Sequence, residues 1–254
     1  MFLSTLLAAC GGKESGSEEV GGRIAATAEP GVVRALFLTG GGYHEFEVVP
    51  RTLMEGLAEQ DGIEVRLLPI DDEGIASHEL SDTALLDGEI DVILAYTQGN
   101  LALSPAARDK LMAAIEGGVG YVGLHCAGDS YPGWADYDRM LGGRFERHPP
   151  LGPIVVTVDN AEHAVTAGLP AEWSLIDEFY HLQGYSPVGK DVLMTGVSPD
   201  GGARRPVTWA KTHGKGRVVY TILGHTRDVH ADARFRQLVG QALRWAAAQP
   251  QAGD

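Results

Sequence analysis

Residues 117–130 read GGVGYVGLHCAGDS, and no other stretch constrains the chain as tightly. Val119 to Leu124 is short and apolar, with β-branched residues at Val119 and Val122 and glycines beside it. A run of that length without alternation suits a strand buried on both faces, as in the middle of a parallel sheet. It leads straight into His125, Cys126, Gly128 and Asp129. Open α/β sheets gather their ligands at the carboxyl ends of such strands. A histidine, a thiol and a carboxylate arriving there together mark a site rather than a plain loop.

The chain on either side supplies the rest of such a sheet. Val32 to Leu38 reads as a first strand ending in Thr39-Gly40-Gly41-Gly42-Tyr43-His44. Glu47 to Gln60 follows with apolar residues at helical spacing (Val48, Val49, Leu53, Leu57, Ala58) and Pro50 in the first turn. Ile63 to Pro69 is a second strand, Asp71 to Asp87 an acidic surface loop with one helical turn, and Ile90 to Tyr96 a third strand. Ser104-Pro105 caps a helix through Glu116. This β-α-β-loop-β-α-β order predicts an α/β fold with a doubly wound, mostly parallel sheet. The strand ends at Thr39, Thr97 and His125 then converge on one rim. Further strands are expected at Ile154–Val158, Trp173–Tyr180, Val192–Gly196, Pro206–Lys211 and Gly216–Leu223, the last running into Gly224-His225. Arg234 to Ala248 is an amphipathic closing helix.

The glycine loop is neither G-x-G-x-x-G nor a P-loop with its lysine, so it does not specify a nucleotide. It is expected to let backbone approach a ligand, with Tyr43 and His44 projecting into the site. The formal charge of −14 argues against nucleic acid as a partner. A small molecule or a metal remains open. Two cysteines, Cys10 and Cys126, make no disulfide framework.

Residues 1–10, MFLSTLLAAC, resemble a bacterial lipoprotein signal in which Cys10 is lipidated. Residues 11–31 are rich in Gly, Ser, Glu and Ala and read as a flexible tether. The resemblance implies a lipid-anchored protein on the periplasmic side of a bacterial cell envelope, sorted to the outer rather than the inner membrane. The anchor would be its only membrane contact. A folded domain then spans 32–250, with 251–254 as a tail.

Within that domain a set of motifs recurs in one order. It comprises Gly123-Leu124-His125, Trp134, Gly142-Gly143-x-Phe145-x-x-His148-Pro149, His163-x-x-Thr166-x-Gly168-Leu169-Pro170, Asp177-Glu178-x-Tyr180, Pro206-Val207-x-Trp209, Gly214-x-Gly216-Arg217-Val218 and Leu223-Gly224-His225. In this the chain resembles the ThuA (trehalose utilisation) family. The resemblance implies a three-layer, flavodoxin-like sandwich of the class I glutamine amidotransferase type, and a role in bacterial carbohydrate metabolism. It also implies what the chain does not do. Amidotransferases place a nucleophilic cysteine on the sharp turn after the central strand. Here that position holds His125, and Cys126 comes one residue later as a small buried thiol. His225 stands where the amidotransferase histidine would be, but Thr226-Arg227 follow instead of Pro-Glu. Glutamine hydrolysis is not expected.

What remains is a pair of histidines, His125 and His225, at strand ends on one rim. Such groups suit acid–base chemistry near neutral pH and are the commonest ligands of zinc-like divalent metals. With Glu178 they allow a two-His-one-carboxylate site. His125, His225 and Glu178 are therefore the candidate catalytic residues, the two histidines also candidate metal ligands. Tyr43, His44, Asp129, Trp134, His148 and Tyr180 are candidate substrate-binding neighbours. Trp134, Tyr180 and Trp209 serve equally well as core or as stacking faces for a sugar. His148 and His163 have structural readings as turn and loop braces, and His78, His181 and His213 as surface or satisfied positions. No paired carboxylates suit a retaining glycosidase. The expectation is an enzyme acting on a sugar, keto-sugar or glycoside, as lyase, isomerase or hydrolase, with a homo-oligomer open. The alternative is a sugar-binding lipoprotein without chemistry.

Overall fold

A computed structural model describes residues 31–70, 89–101 and 103–248. Cys10, the tether up to residue 30, the acidic segment 71–87, His78 and the tail 251–254 lie outside the described residues. The parallel part of the sheet is built from β1 (Val33–Gly40), β2 (Ile63–Pro69), β3 (Val92–Thr97), β4 (Gly120–Leu124) and β11 (Gly216–Thr221). In space these run β2-β1-β3-β4-β11, all parallel. All five residues of β4 are buried, as its unbroken apolar run requires.

The sheet then continues as β10 (Arg205–His213), β9 (Asp191–Val197), β6 (Gly152–Val158) and β7 (Glu172–Asp177). These four pair antiparallel, and β10 joins β11 the same way. The sheet is thus mixed: a parallel half carries an antiparallel wing. The cause is the spacing of helices. A parallel neighbour needs a long crossover, normally a helix, whereas successive strands joined by turns fold back on one another. No helix separates β6 from β11 among the described residues, and the Gly214-Lys215 turn makes β10–β11 a tight hairpin.

The helices are α1 (Val49–Ala58), α2 (Pro105–Gly117), α3 (Ala135–Leu141), α4 (Arg227–Ala231) and α5 (Ala233–Ala247). The Ser104 side chain caps α2 by accepting from Ala107 N, as its sequence implies. Two glycines of β4 let helices close on opposite faces. A Cβ at Gly120 would strike Ala246 of α5, and one at Gly123 would strike Leu141 of α3. Positions of opposite parity on a strand face opposite ways, so β4 lies between two helical layers.

Two features matter for the site. The strand expected to reach Tyr180 stops at Asp177, which frees Glu178 to leave the sheet at the rim. A small second sheet pairs β5 (Arg144–Arg147) with β8 (His181–Gln183) and brings Phe145 against Tyr180. Both strands are short and three of the four residues of β5 are charged, so neither shows a strand pattern in the sequence.

Candidate metal centre

The rim is formed by the carboxyl ends of β1, β3, β4 and β11. After β4 the chain turns sharply into a 3₁₀ turn, His125–Asp129, and His125 takes a φ of 41°. A non-glycine residue in this left-handed region costs about 1–3 kcal/mol and persists only where its surroundings impose it. Here the His125 Nδ1–H donates to Ile222 O at 2.6 Å, and its own carbonyl accepts from Tyr220 Oη at 2.7 Å. His125 is wholly buried. With Nδ1 carrying the proton, Nε2 presents a lone pair to the rim.

Three other groups meet that lone pair. His225 Nδ1 lies 3.3 Å from His125 Nε2, and Glu178 Oε2 lies 3.1 Å from His225 Nδ1 and 3.5 Å from His125 Nε2. His44 packs its ring 5.1 Å from that of His125 and 4.9 Å from that of His225, centre to centre. One donor atom from each of the four falls within 4.8 Å of every other. Bonds of about 2.0–2.2 Å to a tetrahedral zinc place its donors roughly 3.3–3.6 Å apart. The distances among His125, His225 and Glu178 cluster around that edge length.

The hydrogen bonds behind the donors point the same way. His44 Nδ1–H donates to Gln98 Oε1 at 3.0 Å, and Gln98 Nε2 donates to Asp129 Oδ2 at 3.1 Å. Asp129 accepts only, so the amide orientation and the His44 tautomer follow from it. His44 Nε2 is left buried without a partner, aimed at the cluster. Metal-binding histidines are typically held by a hydrogen bond on the other ring nitrogen. A buried nitrogen with no partner is otherwise costly.

Burial, and then the neighbouring His125, lower the His44 pKa to about 3, so the ring is neutral. Burial also opposes ionisation of Glu178, but the adjacent His125 and His225 rings outweigh it and hold its carboxyl well below the usual range. His225 is moved above its ordinary value: burial pulls it down, and Glu178 beside it more than compensates. The cluster therefore pairs an ionised carboxylate with neutral or displaceable-proton imidazoles, a donor set for a divalent cation.

Asp177, wholly buried, organises two of the four groups. Its carboxylate accepts from Gly224 N at 2.7 Å, from His225 N at 2.9 Å and from Glu178 N at 2.9 Å. It ties the end of β7 to the end of β11 and so sets Glu178 opposite His225. The sequence suggests only its bond to the next residue. Gln98 is the second residue not anticipated: its place at a strand end is readable, its bridge between His44 and Asp129 is not.

The remaining candidates divide. Tyr180 lays its ring against His125 with centroids 4.0 Å apart, but Phe145 and His148 also cover it, so it is a wall and not an open stacking face. His148 stands 3.5 Å from Glu178 Oε1, its Nδ1–H on the Pro149 carbonyl at 2.8 Å. Tyr43 points to solvent, 87% exposed, and contributes its backbone N–H to Gln98 rather than a ring to the cluster. Trp134 stacks on Tyr137 and meets Tyr131 edge-on, with Arg108 over its face, outside the cluster. Trp209 is core, its indole N–H on Leu141 O. Cys126 is fully buried, and burial pushes its thiol well up. His163 braces its loop by accepting from Val165 N.

A family model described as "Trehalose utilisation" (ThuA) matches residues 34–246. Among solved structures, a ThuA-like protein of Parabacteroides merdae superposes with a TM-score of 0.73 at 20% identity, over 85% of this chain and 90% of that one. A ThuA-like protein of Bacteroides uniformis gives 0.64 at 26% identity, over 85% and 91%. The carbohydrate deacetylase Agd3 gives 0.61 at 14% identity, over 84% of this chain but 32% of that one. The fold is an α/β fold with a large mixed central sheet, shared with these ThuA-like structures. No curated protein matches the sequence.

Proposed function

The chain belongs to the ThuA (trehalose utilisation) family, and from that premise we propose that it is a divalent-metal-dependent enzyme of carbohydrate metabolism acting on a sugar, keto-sugar or glycoside. One observation carries the reading: His44 Nε2, His125 Nε2, His225 Nδ1 and Glu178 Oε2 converge as a compact three-nitrogen, one-oxygen donor set. The unpartnered His44 nitrogen supports it independently. When bound, a zinc-like ion supplies a Lewis acid that polarises a sugar carbonyl or acidifies a water.

The protein's own groups then have distinct tasks. His44 and His125 hold fixed tautomers and present lone pairs. Glu178 offers a charge-bearing oxygen and is too acidic to serve as a resting base near neutral pH. His225 Nδ1, beside Glu178 and His125, would be the third nitrogen donor in its deprotonated form. Proton transfer falls to His148, which is 35% exposed beside Glu178 and has a free Nε2 because Nδ1–H is held by Pro149 O. A keto group on a sugar acidifies the adjacent C–H, so a base next to an electrophile suits isomerisation, elimination or hydrolysis of such a substrate.

The test is elemental mass spectrometry of the full chain beside His125→Ala, with turnover screened on keto-sugars and plain sugars. The expected result is about one divalent ion per chain, lost in the variant together with turnover. Wild-type protein that neither carries nor takes up a divalent ion, or a folded His125→Ala variant with full turnover, would refute the proposal.

A further inference from the structure

A second cluster of unpaired polar groups lies away from the metal donors. His181 opens β8 and is 5% exposed, yet neither of its ring nitrogens has a hydrogen-bond partner. The sequence places it among surface or satisfied histidines, and it is neither. Its nearest carboxylate, Asp200 Oδ2, stands 3.8 Å from Nε2 and equally far from Arg147 Nη1. Tyr185 Oη is likewise buried and unpartnered. Buried polar groups in native proteins are nearly always satisfied, so two such residues side by side need an explanation.

Both residues line one cavity of about 300 Å³, bounded also by Tyr180, Leu182, Arg205 and Pro206. That volume is at the small end for ligand pockets and suits a single sugar ring. None of the four metal donors lines it. Tyr180 is the shared wall: its ring lies on His125, and it also borders this cavity.

The chemistry of the lining selects a ligand. Burial, then Arg147 and Arg205, lower the His181 pKa, so the ring is neutral and offers one donor and one acceptor. Tyr185 Oη can do both. Donor–acceptor pairs of this kind match hydroxyl groups. Arg205 adds a cation at the lip, and no carboxylate pairs with it among the described residues. Leu182 and Pro206 supply apolar area for the C–H face of a ring.

We propose that this cavity is a second carbohydrate site, specific for a sugar acid whose hydroxyls meet His181 and Tyr185 and whose carboxylate meets Arg205. It does not depend on the metal reading. The test is calorimetric titration of the full chain with sodium D-glucuronate, D-glucose and inorganic phosphate. It is run on wild type, Arg205→Gln, His181→Ala and His225→Ala. Glucuronate is expected to bind once per chain, roughly tenfold or more tighter than glucose, as one charge-assisted hydrogen bond to a guanidinium provides. Arg205→Gln, a surface change, should erase that preference, and His181→Ala should weaken both sugars. His225→Ala should leave glucuronate binding intact, since it disturbs only the metal donors. The proposal falls if glucuronate does not bind, or if Arg205→Gln leaves its preference unchanged. Loss of binding in His225→Ala would assign it to the metal cluster instead. Phosphate binding as tightly as glucuronate would show an oxyanion site with no selection for a sugar.

Discussion

Tyr220→Phe isolates the contact that keeps His125 in its left-handed conformation. The ring of Tyr220 is fully buried and the substitution keeps its packing. What is lost is the hydroxyl that donates to His125 O at 2.7 Å. Removing the partner of a buried carbonyl costs about 1–3 kcal/mol. The strain at His125, about 1–3 kcal/mol, is of the same size. The turn can therefore relax, and what it gains on relaxing offsets part of the loss. Global stability of the chelator-treated protein should fall by only about 1–2 kcal/mol, read as a lower urea midpoint with unchanged slope. The larger effect belongs on the metal. A relaxed turn moves the His125 ring out of register with His225 and Glu178, and a lost positioning contact typically lowers metal affinity about 10–100-fold. Zinc affinity by competition with a chromophoric chelator is the assay. Tyr137→Phe is the control, since Tyr137 Oη donates to Ala127 O at 2.8 Å in the same turn and accepts from Tyr121 Oη at 2.8 Å, without touching His125. It should cost at least as much stability and much less affinity. If Tyr220→Phe is destabilised but binds zinc as tightly as wild type, Tyr220 does not hold the donor in place and the reasoning fails.

Three further outcomes follow from the same contacts. Gln98→Leu removes the acceptor that sets the His44 tautomer and should weaken zinc binding about tenfold while leaving the far-ultraviolet dichroism unchanged. Asp91 accepts from Arg34 N, Nε and Nη2 at 2.8–3.0 Å; burial opposes ionisation, but these bonds hold its pKa below the ordinary 3.8. Its stabilisation is therefore present above that value and lost as pH falls through the lower folded one, and Asp91→Asn should abolish that segment of the acid-unfolding curve at a cost of about 1 kcal/mol for a part-exposed pair. Cys126 should resist iodoacetamide in the native chain and react only in denaturant, as mass spectrometry of the peptide carrying Cys126, read apart from Cys10, would reveal; rapid native labelling of Cys126 would refute its burial.

The parallel half of the fold is legible because its signals are local. β3 and β4 are unbroken apolar runs and β1 is one from Ala35 to Leu38, each ending in glycine or polar residues, and the strand ends at Thr39, Thr97 and His125 do share a rim: Gly40 pairs with Thr97, and Gln98 N donates to Gly40 O at 2.9 Å. The antiparallel wing was less legible in its direction, since strand periodicity is the same either way and only the missing helices betray it. The two-stranded β5–β8 sheet was illegible, its strands being too short to carry a period. In the site, His125, His225 and Glu178 stand at positions that strand ends single out. His44 could be placed on the rim, but its role depends on which nitrogen is bonded, and that is decided by Gln98, 54 residues away. The organising role of Asp177 leaves no local signal because two of its partners lie 47 and 48 residues further on.

The geometry of the cluster follows from one position. The turn after β4, with φ at 41°, carries His125. Its Nε2 is held at a fixed point because Nδ1–H is bound to Ile222 O. His225 and His44 arrive from neighbouring strand ends at the same point, and Glu178 reaches it because β7 stops at Asp177. Cys126, one residue on, is turned into the core and is wholly buried. One residue's difference in register therefore separates a thiol that cannot reach the rim from an imidazole that cannot leave it.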